Sequence, residues 1–384
     1  MELQSSKLLG RFEKSRENHM GYPYNLAFSS ELASRFSGYL INNLGDPFVG
    51  SHYGTEVCDV EIEVVEWAKS VWGASATGDY WGSVVASGTE GNLWAIYLGR
   101  EALVNPVLFC SADAHYSIPK AAKILGLECV TCASNENGEI LLPDFRKNVK
   151  AHADRGIIVA LTCGTTIRGA HDDIEGCLEI LDEEGIAPNQ RYVHVDAALN
   201  GLVVPFLDDV DSEIVPTFQM DIDSISTSGH KMIGTPMPCG ILVALSCHTD
   251  RVASSISYIR SNDTTLMGSR NGHAALAIWE RITDLGVEGF RRESIACLER
   301  ATGLANRMKQ LGVPVLQNKY SLTLVFPKPN DLIVKKYQLA CDGDIAHAIV
   351  MPNVDENLIN RFLQDYLADF AEQSDEVPVP EPTT

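Results

Sequence analysis

From Gly88 to Leu245 one pattern repeats: a short apolar run, a polar cluster, then a stretch with apolar residues at helical spacing. Strands are expected over 106–110, 128–132, 157–163, 192–195, 221–227 and 239–245. Helices are expected after Gly88-Thr89-Glu90-Gly91-Asn92, over 117–125, from Pro143-Asp144, and after Asp172-Asp173, whose carboxylates suit a helix N-terminus. Such alternation implies a mostly parallel, doubly wound sheet with helices on both faces. Ligands of these sheets bind outside the carboxyl ends of the strands. The polar clusters of this chain follow strand candidates.

The flanks read differently. Residues 1–50 form an N-terminal segment with a helix expected near 30–43, closing on turn chemistry at 42–48. A helix is expected over 56–72, with Gly73 as its stop. Past Gly268 come a long helical stretch over 272–311, broken near 286–289, strands at 313–317, 321–326 and 345–351, and a helix through Ile359, Phe362, Leu363 and Leu367. These divisions give a large α/β domain over 51–275 and a small α+β domain over 276–372. The acidic, Pro-rich end, 373–384, is expected to be disordered.

At 384 residues there is enough chain for a large core, and 45% hydrophobic with 21% charged residues is ordinary for a globular protein. A net charge of −21 argues against nucleic acid and anionic membranes as partners. No apolar run reaches the roughly 20 residues that span a bilayer, and the charged start lacks a signal-peptide core. Ten scattered Cys read as reduced thiols of a cytoplasmic protein. Cys129 and Cys132 fall in one strand with side chains on opposite faces, against a metal or redox role. No His/Cys pairs have ligand spacing, so no metal is expected.

Four clusters carry the chemistry. Ser87-Gly88-Thr89 opens a helix, where free N–H groups and a hydroxyl make a phosphate seat. Asp196 ends an apolar strand, placed either to hold a heterocyclic nitrogen protonated or to cap a helix. His115 follows another strand, suited to stacking on a ring and shuttling protons, or to a solvated loop. Ser228-Gly229-His230-Lys231 ends a third. A buried Lys is disfavoured unless its nitrogen is used covalently, as when it carries an aldehyde cofactor; an exposed loop Lys is the alternative.

Together these clusters resemble the group II pyridoxal-phosphate amino-acid decarboxylases of the aspartate-aminotransferase fold (fold type I). The short bacterial histidine decarboxylases and plant serine decarboxylases are most similar. The resemblance runs from about Gly21 to Pro352. It includes Gly-Tyr-Pro at 21–23, Asn-Leu-Gly-Asp-Pro-Phe at 43–48, Gly-Thr-Glu-Gly-Asn at 88–92, His-x-Asp-Ala-Ala-Leu at 194–199, Ser-Gly-His-Lys at 228–231 and Gly-Asp-Ile-Ala-His at 343–347.

The resemblance implies that Lys231 carries pyridoxal phosphate and that Asp196 pairs with its ring nitrogen. His115 and Ala198 then contact the ring, with Thr165 at its polar edge. Ser87, Gly88, Thr89, Ser228 and His230 hold the phosphate. It also implies a homodimer assembled through the N-terminal segment, with Gly268 and Ser269 reaching the other subunit's phosphate. Tyr258 and His115 are the alternatives for returning a proton to the substrate's Cα. Tyr53, His52 and Ser321 are substrate-binding candidates, and His347 stands in for the carboxylate-binding Arg of relatives. The implied reaction is α-decarboxylation of a small polar L-amino acid, with serine ahead of histidine. An aminotransferase, an aldehyde-forming decarboxylase and a catalytically silent scaffold are the alternatives.

Overall fold

The computed structural model describes residues 2–75 and 78–375. A seven-stranded sheet organises it, in the spatial order Tyr80–Val85, Gly240–Leu245, Ser224–Ser228, Arg191–Asp196, Ile157–Thr162, Val107–Ser111, Glu128–Cys132. Gly240–Leu245 runs against the rest, antiparallel to both neighbours; the other four pairings are parallel. Helices including Gly88–Ala102, Ser117–Leu125, Leu142–Ala151 and Ile174–Glu183 connect and cover the strands. Side chains alternate between two cores. Phe109, Val159 and Leu161 pack with helices Cys58–Val71 and Ile174–Glu183, while Leu108, Ile158 and Ala160 pack under Gly88–Ala102. Burial on both faces is why these strands read as unbroken apolar runs. Cys132 and Cys129 divide between the same two cores.

The Tyr80–Val85 strand is absent from the hydrophobic pattern because Gly82 and Ser83 interrupt it. Both residues are dictated by neighbours. A Cβ at Gly82 would lie 2.9 Å from Leu242 O, and Ser83 Oγ donates to Glu61 Oε1 at 2.9 Å. Glu61 is a buried hub, also accepting from Val84 N at 2.8 Å and Asn43 Nδ2 at 2.7 Å, and paired with Arg270. This hub ties the small Asn42–Leu44/Ser269–Asn271 ribbon to the main sheet.

One N-terminal expectation needs correction, and one helix was not anticipated. The helix over 30–43 contracts to Glu31–Arg35, started by the Glu280 carboxylate on Leu32 N and Ala33 N and ended before Asn42–Leu44 pairs elsewhere. A further helix, Glu2–Glu17, has too few apolar residues to announce itself.

The long helix Gly272–Gln310 bends at Gly286, whose φ of +55° suits glycine. Its first half enters the large core through Ala274, Ile278 and Phe290, and its second half enters a separate core through Leu304 and Met308. That second core lies under a three-stranded antiparallel sheet, Thr323–Pro327, Ile345–Ile349 and Ala340–Asp342, with helices Asp331–Tyr337 and Glu356–Asp375. The run 313–317 is not a strand: Leu316 makes a single bridge to Val325. Ala340–Asp342 went unread because it is a short, half-exposed edge. The last helix extends to Asp375, and the rest of the expected disordered tail, 376–384, lies outside the described residues. Among the described residues no helix is long and apolar enough to cross a membrane.

Two histidines inside the fold set an acid limit. Burial pushes His171 and His194 each down to about 4. The unfolded chain, titrating near 6.5, therefore binds more protons between those values, so stability falls as pH drops through that window. Each contributes on the order of 3 kcal/mol of this loss by pH 4. Burial also pushes Asp172 up to about 7, and a carboxyl that protonates first in the folded chain offsets part of this loss over the same window. Urea midpoints measured from pH 7 to pH 4 are expected to fall below about pH 6.5, and midpoints that rise instead would contradict the buried, neutral state of both rings.

Candidate active site

Strand ends and one helix N-terminus meet at a cavity of about 690 Å³. Ser87 follows the Tyr80–Val85 strand and caps Gly88–Ala102, its Oγ accepting from Glu90 N at 3.4 Å while Glu90 Oε2 accepts from Ala86 N at 2.6 Å. Gly88 and Thr89, at the first turn, line the cavity. The first N–H groups of a helix have no partner within it and attract anions. No side chain fits at Gly88, because a Cβ would lie 2.5 Å from Ser228 Oγ and 3.5 Å from Ala198 Cβ.

Lys231 lies in the turn Gly229–Ile233 that follows the Ser224–Ser228 strand. That turn is pinned from two sides. Asn25 Nδ2 donates to Met232 O at 3.0 Å, and Arg281 Nε donates to Ile233 O at 2.7 Å. Burial lowers the Lys231 ammonium below the usual lysine range, with Asp196 opposing the shift. A lysine poised this way is a nucleophilic amine. His230 is pushed down to about 4 by burial and then by Lys231, and its buried Nδ1 has no hydrogen-bond partner among the described residues.

Asp196, at the end of its strand, is buried beside the cavity. Its Oδ1 accepts from Ala198 N at 3.1 Å and its Oδ2 from Asn92 Nδ2 at 2.7 Å. His115 lines the same cavity, with Nδ1 2.7 Å from Ser117 Oγ. Burial lowers its pKa below the usual histidine value.

Lys231, Asp196, Ala198, His115, Ser87, Gly88, Thr89, Ser228 and His230 therefore meet at one cavity. The other expected residues lie elsewhere in the single chain. Thr165 faces away, buried, with Oγ1 accepting from Ala170 N at 3.0 Å; Thr162, Gly164 and Thr166 line the cavity in its place. Ser321 is buried against Gly169, its Oγ accepting from Thr323 N at 3.1 Å. His347 has a main-chain carbonyl against each ring nitrogen, Ile167 O at 3.1 Å and Gly21 O at 3.0 Å, and a neutral ring donates to one of them, so neither nitrogen faces a substrate carboxylate. Tyr258 is 75% exposed. Its carbonyl accepts from Tyr53 Oη at 3.1 Å, and His52 stacks on Tyr53. Ser269 Oγ accepts from Asn42 Nδ2 at 3.2 Å, and Gly268 is open to space.

Residues 57–327 match the pyridoxal-dependent decarboxylase conserved domain. The chain belongs to the pyridoxal-dependent decarboxylase family. It is 39% identical over 350 residues to serine decarboxylase 1 of Oryza sativa subsp. japonica, covering 91% of this chain and 72% of that protein. Against histidine decarboxylase of Morganella morganii it is 38% identical over 358 residues, covering 93% and 94%. The structure of L-methionine decarboxylase from Streptomyces sp. 590 superposes with a TM-score of 0.86 at 25% identity, covering 96% and 94% of the two chains.

This pyridoxal-dependent decarboxylase is thus a group II carboxy-lyase with the fold type I architecture, acting on an amino acid with pyridoxal phosphate. The cavity fits that cofactor. An orphaned ring nitrogen at His230, a helix start where no Cβ fits, a lysine held below its ordinary pKa and a buried carboxylate suit a phosphorylated pyridine aldehyde.

Asn25 and Asn92 are among the cavity residues that had no role in the sequence reading. Asn25 pins the Lys231 turn from the N-terminal segment. Asn92 stands one helical turn beyond Gly88, and that spacing could have signalled it, since residues four apart share a helix face. An Asn on a buried face is expensive unless every polar atom is used.

Proposed function

We propose that this enzyme decarboxylates a small polar L-amino acid, with L-serine the favoured substrate and L-histidine the next. Bound pyridoxal phosphate supplies an electron sink for the bond to the departing carboxylate. Lys231 carries the aldehyde, and Asp196 holds a proton at the ring nitrogen. The Gly88-Thr89 turn, Ser87, Ser228 and His230 take the phosphate, while His115 and Ala198 contact the ring. The convergence of Lys231 and Asp196 on one cavity is the observation that carries this reading.

The substrate preference rests on the lining. Tyr22, Tyr24, Tyr116 and Thr166 bring polar groups to a volume that cofactor and substrate must share. A site that bonds a substrate hydroxyl rejects analogues lacking one. We further propose a homodimer. The surface formed by His52, Tyr53, Tyr258, Gly268 and Ser269 is supported as a contribution to the other subunit's cavity by its exposed aromatics, Tyr53 at 50% and Tyr258 at 75%. Tyr258 then returns the proton to Cα, with His115 the alternative donor. The ten cysteines, all free, support a cytoplasmic setting.

Carbon dioxide release from a panel of L-amino acids tests the substrate assignment. Serine is expected to give the highest kcat/KM, with amine formed in equal amount and no keto acid. Preference for a large apolar amino acid would overturn it.

A further inference from the structure

Asn92 is 1% exposed, and its side-chain amide uses every hydrogen-bonding position it has. Nδ2 lies 2.7 Å from Asp196 Oδ2 and 2.8 Å from Ser117 Oγ. Oδ1 lies 3.0 Å from His194 Nε2 and 2.8 Å from Ser226 Oγ. Rotating the amide by half a turn would set its oxygen against the acceptor oxygens of Asp196, so the orientation is fixed by chemistry.

That orientation propagates. Because Oδ1 accepts, His194 must carry its hydrogen on Nε2. Its Nδ1 then accepts from Ser224 Oγ at 2.9 Å, and Ser224 accepts from Tyr192 Oη at 2.9 Å. One directed chain of donors, from Tyr192 through Ser224, His194 and Asn92, ends on the Asp196 carboxylate. Bonds aligned in this way polarise one another in a low-dielectric interior.

The second hydrogen of Nδ2 acts on the other side. Ser117 Oγ accepts it, which leaves the hydroxyl's own hydrogen for His115 Nδ1 at 2.7 Å. Ser117 N also points at that Nδ1, at 3.3 Å. With two donors on Nδ1, the hydrogen of a neutral imidazole resides on Nε2.

We propose that Asn92 is a positioning residue that uses one amide to hold the Asp196 carboxylate and, through Ser117, to fix His115 as the Nε2–H tautomer. The cavity histidine thereby presents a hydrogen-bond donor rather than an acceptor at its remaining nitrogen. The inference rests on the cofactor roles proposed above for Asp196 and His115.

Two variants separate the two arms. Asn92→Asp keeps the shape but sets a second carboxylate beside Asp196. Titrating the apoprotein with pyridoxal phosphate and following the visible band, its cofactor Kd is expected to rise about tenfold to a hundredfold, the worth of a hydrogen bond to a charged group. Ser117→Ala leaves Asp196 bound to Asn92. Its cofactor Kd is expected to stay within about twofold, while the pH profile of kcat shifts as His115 Nδ1 loses its nearer donor and keeps only Ser117 N at 3.3 Å. In histidine-labelled holoenzyme, nitrogen NMR is expected to show His115 Nδ1 unprotonated in the wild type and partly protonated in Ser117→Ala. Should Asn92→Asp fail to fold, the Ser117→Ala profile and the NMR spectrum decide alone. Cofactor affinity unchanged in Asn92→Asp, or a protonated His115 Nδ1 in wild type, overturns the inference while the functional reading stands. Wild type that forms no visible band at all defeats that reading and the inference with it.

Discussion

Lys231→Ala is expected to lose roughly 10⁴-fold in decarboxylation rate, equivalent to about 5 kcal/mol of barrier. The loss follows from what the fold invests in this one amine. Asn25 and Arg281 hold its turn from opposite sides, and burial keeps its nitrogen short of the usual ammonium. A half-buried lysine held below its usual pKa is tolerated where it is used. The variant should fold normally, since removing a desolvated amine relieves a cost instead of adding one. Its visible band with pyridoxal phosphate should vanish. Co-assembly with Tyr258→Phe should restore part of the activity if the two residues serve one site from different subunits. Retention of more than about a tenth of wild-type kcat by Lys231→Ala alone would show that another group carries the cofactor.

Glu61→Ala should be the most damaging substitution for stability. The carboxylate accepts from Ser83 Oγ, Val84 N and Asn43 Nδ2 and is paired with the buried Arg270. Removing it leaves a buried guanidinium uncompensated, which costs about 3–5 kcal/mol. That is a large share of the roughly 5–15 kcal/mol that holds a typical domain folded. The urea midpoint should drop accordingly, with the slope unchanged. Glu61→Gln, which keeps an acceptor for Val84 N, should lose less. A loss below about 1 kcal/mol for Glu61→Ala would mean that water or a rotamer change rescues Arg270.

Much of the main sheet was legible because its inner strands are buried on both faces. Val107–Ser111 and Ile157–Thr162 leave an apolar signal that outweighs register and loop detail. The meeting of Asp196 and Lys231 at one cavity was legible for a related reason: each is a charge set at or just past the end of a buried strand. Ser321 and His347 show the limit. Both sit where sequence alone does not say which way a side chain turns, and both turn toward main-chain partners. Thr165 fails by a single position, since Gly164 and Thr166 face the cavity and Thr165 turns inward to close its own loop. Asn92 was hidden because its importance lies in four partners drawn from three separate segments. Tyr53, His52, Tyr258, Gly268 and Ser269 do not line the Lys231 cavity of one chain, so the roles proposed for them require the proposed second copy.

Reduction of the cofactor-loaded protein with borohydride fixes a reversible link between an amine and an aldehyde as a stable secondary amine. Peptide mass spectrometry after that treatment tests the central claim most directly. One reduced phosphopyridoxyl group per chain is expected, on Lys231. A label on any other lysine, or none on protein that has been saturated with pyridoxal phosphate, would contradict it.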